Sequence, residues 1–178
     1  MSSLRLSTAG SLIEAMTLAA THVEYDPETG ALVRRDISEP VRISVKDGYE
    51  RFCLAGHVIR VHQFAFFVMT GVVPKSADHI NRNRSDNRWA NLRPCTQSQN
   101  NANSPARSTS STGIKGIYFD KARRRWRARI IKDGKQQEIG RFATPEAAGA
   151  AYERAAIKLF GEFAYRGGGR DGRETAPA

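Results

Sequence analysis

The chain has 178 residues, 40% of them hydrophobic, with a net charge of +10 and a pI near 10.1. It is too long for a mini-protein, apolar enough for one ordinary domain or two small ones, and basic enough to favour a polyanionic partner. Two cysteines, Cys53 and Cys95, without C-x-x-C spacing argue against a zinc cage or a disulfide scaffold.

The charge is unevenly placed. Residues 1–60 hold 7 Lys/Arg against 8 Asp/Glu, residues 61–112 hold 6 against 2, and residues 113–166 hold 13 against 6. Attraction to phosphate therefore belongs to the middle and, above all, to the last segment. The N-terminus carries Arg5 and a short mixed stretch broken by Glu14. It has neither the length nor the flanks of a signal peptide or a membrane span, so a cytoplasmic protein of a bacterial cell or phage-infected host, not secreted, is expected.

In chain order, Leu12, Ala15, Met16 and Ala19 recur at helical spacing between Ser11 and His22. Tyr25-Asp26-Pro27-Glu28-Thr29-Gly30 reads as a turn between two short strands. A hairpin is expected at Tyr49–Leu54 and His57–Val61, folded across Ala55-Gly56. Val61–Met69 is apolar nearly all round before Gly71 and Pro74, which predicts a buried helix, and His57 and His62 read as packing histidines. Thr96-x-x-Gln99 fits a capping box opening a helix before Asn100. Residues 102–112 have almost no large apolar side chain and are expected to be a linker.

Beyond it, Lys115–Phe119, Trp126–Lys132 and Lys135–Phe142 read as strands, the last two joined by Asp133-Gly134. Thr144-Pro145-Glu146 starts a helix that Gly161 stops. Its Ala147, Ala148, Ala151, Ala155 and Ala156 offer a small-residue face to the sheet. Strand alternation puts Trp126, Ala128 and Ile130 on the packed face and Arg125, Arg127 and Arg129 on the other, where a guanidinium row suits phosphates and base edges.

The chemistry concentrates in Asp78-His79, Asn91 and Asn100. An imidazole titrating near neutrality can take a proton from water, and carboxylate and amide oxygens suit a hard divalent ion. Asp78 and Asn100 could supply those oxygens, with magnesium or manganese the ion indicated. Arg82, Arg84, Arg88 and Arg93 surround the motif and are candidates for holding phosphate.

Val61-His62, then Asp78-His79-Ile80-Asn81-x-Asn83-Arg84-x-Asp86-Asn87-Arg88-x-x-Asn91-Leu92-Arg93, then Asn100, resembles the HNH homing endonucleases of phages and bacteria. The resemblance implies a ββα-metal motif in which Asp78 and Asn100 ligate the metal, His79 activates water and Asn91 braces the loop that orients it. Lys115-Gly116-Ile117, Trp126-x-Ala128-x-Ile130, Ile139-Gly140-x-Phe142 and the alanine-rich helix resemble the Apetala-type domain of plant ethylene-response factors. That resemblance implies a sheet lying in the DNA major groove. Gln136 and Glu138 stand where the plant domains commonly show Arg and Trp.

The expectation is an α+β chain: a support region of helix and β-hairpin at 1–60, a ββα-metal nuclease core at 61–101, a flexible linker at 102–112, a three-stranded antiparallel sheet packed on one helix at 113–166, and a disordered tail at 167–178. Such a chain would nick double-stranded DNA, with no membrane association and no small-molecule cofactor. A non-enzymatic DNA-binding regulator built on an inactive scaffold is the rival reading, and an RNA-binding basic protein ranks below both.

Overall fold

The computed structural model describes residues 12–108 and 110–166, so the expected tail at 167–178 lies outside the described residues. The chain divides into two compact units, Met1–Cys95 and Thr96–Ala178. Among the described residues no helix is long and apolar enough to cross a membrane.

In the first unit, helix α1 (Leu12–His22) turns Ala15, Met16 and Ala19 inward, the face its spacing predicts. Strands β1 (Val23–Tyr25) and β2 (Leu32–Arg34) pair antiparallel around the predicted turn. The Asp26 carboxylate accepts from Glu28 N at 2.9 Å and Thr29 Oγ1 at 2.6 Å, which closes that turn. Strands β3 (Ser44–Lys46), β4 (Tyr49–Leu54) and β5 (His57–Arg60) form a second antiparallel sheet with β4 in the middle. The β4–β5 turn has Ala55 and Gly56 at φ 48° and 83°, the left-handed pair a two-residue hairpin requires.

Val61, which the expected hairpin and the expected helix both claimed, opens helix α2 (Val61–Thr70), so the helix start is as predicted and the strand ends one residue earlier. This helix is one-sided rather than buried all round: Val61, Phe64 and Ala65 are enclosed, while Val68 and Met69 are 40% and 41% exposed. The core gathers α1, β1, β2, Phe52, Ile59, the inner face of α2 and Leu92. Strands β6 (Ala77–His79) and β7 (Leu92–Pro94) then pair in a two-stranded ribbon.

In the second unit, helix α3 (Gln97–Asn103) begins at the predicted capping box. Gln99 N donates to Thr96 Oγ1 at 3.2 Å and Thr96 N to Gln99 Oε1 at 2.8 Å. The helix runs into the segment expected to be a free linker. Ala102 and Asn103 are its buried last turn, and the Lys115 ammonium donates to the carbonyls of Asn101, Ala102 and Ser104 at 2.6, 2.9 and 2.5 Å. These are orphan acceptors at a helix C-terminus, which attract a cation. Burial pulls the Lys115 amine down to about 8. Residues 102 and 103, expected to open the linker, are thus the last turn of α3, where a lysine distant in sequence satisfies the free carbonyls.

Strands β8 (Ile117–Asp120), β9 (Arg125–Lys132) and β10 (Lys135–Phe142) make an antiparallel sheet in the order β10-β9-β8, crossed by helix α4 (Pro145–Phe160). Thr144 Oγ1 accepts from Ala147 N at 3.2 Å and caps α4. Ala128 and Ala148 are fully buried where sheet and helix meet. Ala147 is exposed, so the small-residue face consists of Ala148, Ala151 and Ala156, with Tyr152 beside them. Gly116 stands at φ 73°, and a Cβ there would lie 2.0 Å from the Tyr152 ring, so a side chain at 116 is excluded.

Candidate active site

Register places the central residues. In the β6–β7 ribbon Asp78 lies opposite Arg93 and His79 opposite Leu92, and cross-strand partners share a face. Asp78 Oδ2 accepts from Arg93 Nε at 2.9 Å and from Nη2 at 2.7 Å. Both side chains are enclosed, at 5% and 11% exposure. Arg93, expected to reach for phosphate, thus spends its guanidinium on the carboxylate across the ribbon. Two donor atoms converging on one oxygen match the charge-assisted geometry that holds such pairs tightly.

The next residue points to the opposite face. His79 is 4% exposed and sits in an aromatic corner, with the His62 ring 5.2 Å away edge-on and the Tyr49 ring 5.9 Å away. Burial pushes its pKa below the ordinary value, opposed by its contact with Asn87 and by the nearby Asp78 charge. The imidazole is therefore neutral at neutral pH, the form a general base requires. Burial drives His62 further, down to about 3, so it packs against His79 without charge, as its sequence setting implied.

The loop between the two strands is bound up by amides. Asn91 Oδ1 accepts from Asn81 N at 2.9 Å, Asn91 Nδ2 donates to Asp86 O at 2.7 Å, and Asn91 O accepts from Ile80 N at 2.9 Å. One asparagine thus ties both ends of the turn that follows His79. Asn81 Nδ2 donates to Asp86 Oδ2 at 2.6 Å, and the Arg88 fork holds the Asp86 carboxyl down at about 2. Arg88 is half-exposed and committed to Asp86. Arg84 is exposed, lies 4.8 Å over the Tyr49 ring and donates to Asp47 O at 3.0 Å.

Asn100 is on α3, in the second unit, and its N donates to Thr96 O at 2.9 Å. Among the described residues no group of three or more His, Cys, Asp or Glu is placed to enclose an ion. Asp78 offers a carboxylate oxygen and Asn100 an amide oxygen, each by chemistry a hard ligand of the kind magnesium takes.

In the second unit, Arg125 is exposed on β9, while Arg127 pairs with Glu138 and lies 3.9 Å from Asp120. Arg129 lies 4.0 Å over the Tyr118 ring. The guanidinium row is therefore interleaved with two carboxylates, which alternation along one strand cannot reveal because Asp120 and Glu138 come from its neighbours.

Two residues that pattern reading did not assign stand closest to His79's own chemistry. Asn87 Oδ1 is 3.3 Å from His79 Nε2, and Glu50 on β4 accepts from Asn87 Nδ2 at 2.8 Å. Asn87 lies inside the Asp-Asn-Arg motif, which was the one available signal. Glu50, 37 positions away, had none.

Residues 60–102 match the HNH endonuclease family. The chain is 34% identical over 111 residues to an uncharacterized HNH endonuclease of Acanthamoeba polyphaga mimivirus, covering 60% of this chain and 56% of that protein. It thus spans little more than half of that relative's length. It is 28% identical over 122 residues to Protein 3.8 of Escherichia phage T7, covering 67% of this chain and 98% of the phage protein. No solved structure matches. The family match begins at the last residue of β5 and takes in the whole β6–β7 ribbon with its Asp78, His79 and Asn91, so this chain carries an HNH endonuclease domain.

Proposed function

We propose that the protein is a metal-dependent DNA endonuclease of the homing type that nicks duplex DNA, at sites chosen by an Apetala-type sheet in its second unit. The observation that carries the reading is His79, neutral and oriented, next to Asp78 on a ribbon inside the HNH match. In this reading His79 takes a proton from the attacking water, and Asn91 holds the loop that aims it. Asp78 and Asn100 would hold magnesium or manganese, which when bound polarises the scissile phosphate and neutralises charge on the leaving oxygen. Arg93 holds Asp78 in place through two hydrogen bonds, and Arg84 and Arg88 are at hand for phosphates through their exposed faces. One centre per chain makes a nick the natural product.

The test is conversion of supercoiled plasmid to open circles. Purified protein with magnesium or manganese is expected to nick it, and a chelator to stop the reaction. The rival, a DNA-binding regulator on an inert scaffold, draws on the Asp78–Arg93 ion pair and the enclosure of His79. Tight DNA binding with no nicking under any divalent ion would select it.

Recognition is assigned to Arg125, Arg127 and Arg129. Replacing Arg127 and Arg129 together by Ala is expected to weaken duplex binding and to lower the slope of log affinity against log salt by about two, one for each phosphate no longer neutralised. Fluorescence anisotropy across a salt series reads this directly. An unchanged slope would remove the β9 face from the interface.

A further inference from the structure

Strand alternation gives the sheet of β3, β4 and β5 two unlike faces. Phe52 and Ile59, opposite each other in the register, turn into the core. Tyr49 and Arg51 point the other way, with Lys46 opposite Tyr49 and Arg60 opposite Arg51. Arg51 and Arg60 are therefore direct cross-strand neighbours of like charge, a pairing that destabilises a sheet. Arg84, from the loop between β6 and β7, brings a third guanidinium to the same place. Its Cζ lies 4.8 Å from the centroid of the Tyr49 ring, and Arg60 Cζ lies 5.6 Å from it.

One carboxylate answers these three cations. Asp47 Oδ2 is 3.6 Å from Arg51 Nη2, and its side chain is 73% exposed, so water screens the pair. No carboxylate pairs with Arg60 or Arg84 among the described residues. A guanidinium stacked on a ring engages it through its flat face and leaves in-plane N–H groups for an anion, and that fork matches phosphate oxygens. Arg60 and Arg84 are exposed, whereas Arg51 is mostly enclosed and adds charge from behind.

The cluster adjoins the ribbon that carries Asp78 and His79. The Tyr49 ring is 5.2 Å from the His62 ring and 5.9 Å from the His79 ring. Behind burial, the charges of Arg60 and Arg51 help to push His62 down, and that of Arg84 joins burial against protonation of His79. Counting charge along the chain conceals this patch, because residues 1–60 hold 7 Lys/Arg against 8 Asp/Glu. The fold sorts those charges and sets Lys46, Arg51 and Arg60 on one face.

We propose that Arg60 and Arg84, steadied on Tyr49 and backed by Arg51, form a binding site for a phosphate of the DNA backbone beside the one that is cut. The inference takes its ligand from the endonuclease reading and rests on it. It gives the first unit a phosphate contact of its own, in addition to the arginine row of the second, and it gives the uncompensated Arg51–Arg60 pairing an occupant.

Binding of a fluorescent duplex of mixed sequence to the full chain, in chelator so that no strand is cut, reads the site through its salt dependence. Arg60→Ala is expected to lower the slope of log affinity against log salt by about one. Arg60→Lys, which keeps the charge, should leave the slope at the wild-type value. Arg84→Ala, on a different segment, should give the same fall and decides the matter should Arg60→Ala not fold. Thermal unfolding adds a readout on which a purely structural arginine behaves differently, since removing one of two opposed like charges should leave the midpoint unchanged or raise it. Single uncharged methylphosphonate linkages along the nicked strand locate the contact. The linkage beside the cut is expected to weaken wild-type binding and to make no difference to Arg60→Ala. Unchanged slopes for both alanine variants overturn the proposal, as does sensitivity only to linkages remote from the cut. A protein that shows the expected slopes but never nicks DNA with any divalent ion overturns the endonuclease reading instead and leaves a DNA phosphate site standing.

Discussion

His79→Ala is expected to lower plasmid nicking by about 10²- to 10⁴-fold, the range a positioned general base contributes, while duplex affinity stays within about twofold. The separation follows from where the charge lies. The net positive charge is concentrated in residues 113–166, and His79 is neutral at neutral pH, so its removal takes no cation from the DNA interface. Single-turnover nicking and anisotropy on the same preparation measure both. A rate within tenfold of wild type would mean that another group takes the proton, and the assignment of His79 would fall. An equal loss of rate and affinity would mean that the two units do not divide the work.

Arg93→Ala is expected to cost the first unit about 3 to 5 kcal/mol, the penalty for stranding a buried charge, and thus to cause a larger stability loss than replacing Arg84 or Arg88. Asp78 and Arg93 are nearly closed to solvent, so removing the guanidinium leaves a carboxylate with little water to replace two charge-assisted bonds. Arg34 provides the internal contrast. It makes the same type of pair with Asp36, but both side chains are about half exposed, so water and salt ions replace what the pair supplies and its loss is expected to matter little. Urea unfolding followed by Trp89 fluorescence, in a Trp126→Phe background that silences the second unit, reads the difference. Adding Asp78→Ala to Arg93→Ala should recover part of the loss, since the stranded charge is then gone. A cost below about 1 kcal/mol would show that water reaches Asp78 and that the pair is no closed unit.

The pairing bears on activity too. The carboxylate proposed to hold a cation already shares one oxygen with a guanidinium. Arg93 is better described as a support for Asp78 than as a phosphate ligand, and the motif that contains it, Asn91-Leu92-Arg93, does two jobs. Asn91 ties the loop after His79, and Arg93 steadies the residue before it.

Much of the local structure was legible because its causes are local. Thr96 and Gln99 are three residues apart and meet in the capping box that their types predict. Asp133 and Gly134 take the left-handed angles a tight hairpin needs, and Thr144-Pro145 begins α4 where cap and proline placed it. The alternation along β9 correctly separates Ala128 and Ile130 from the arginines. Where the chain was misread, a distant partner intervened. Residues 102 and 103 lack large apolar side chains, yet Lys115 draws the carbonyls of that segment into structure.

Residue types, spacing and charge distribution by themselves determined the nuclease-type motif, the cationic second half and the turns at 26–30, 55–56 and 133–134, because hydrogen-bonding capacity, glycine's backbone freedom and side-chain periodicity act over a few residues; the β3–β4 turn at Asp47-Gly48 was not among them. Only tertiary structure decided that Arg93 serves Asp78, that Asp120 and Glu138 interrupt the arginine row, and that Glu50 and Tyr25 close on Asn87. Those contacts join strands and turns far apart in the chain, and their geometry exists only once register and packing have brought the elements together.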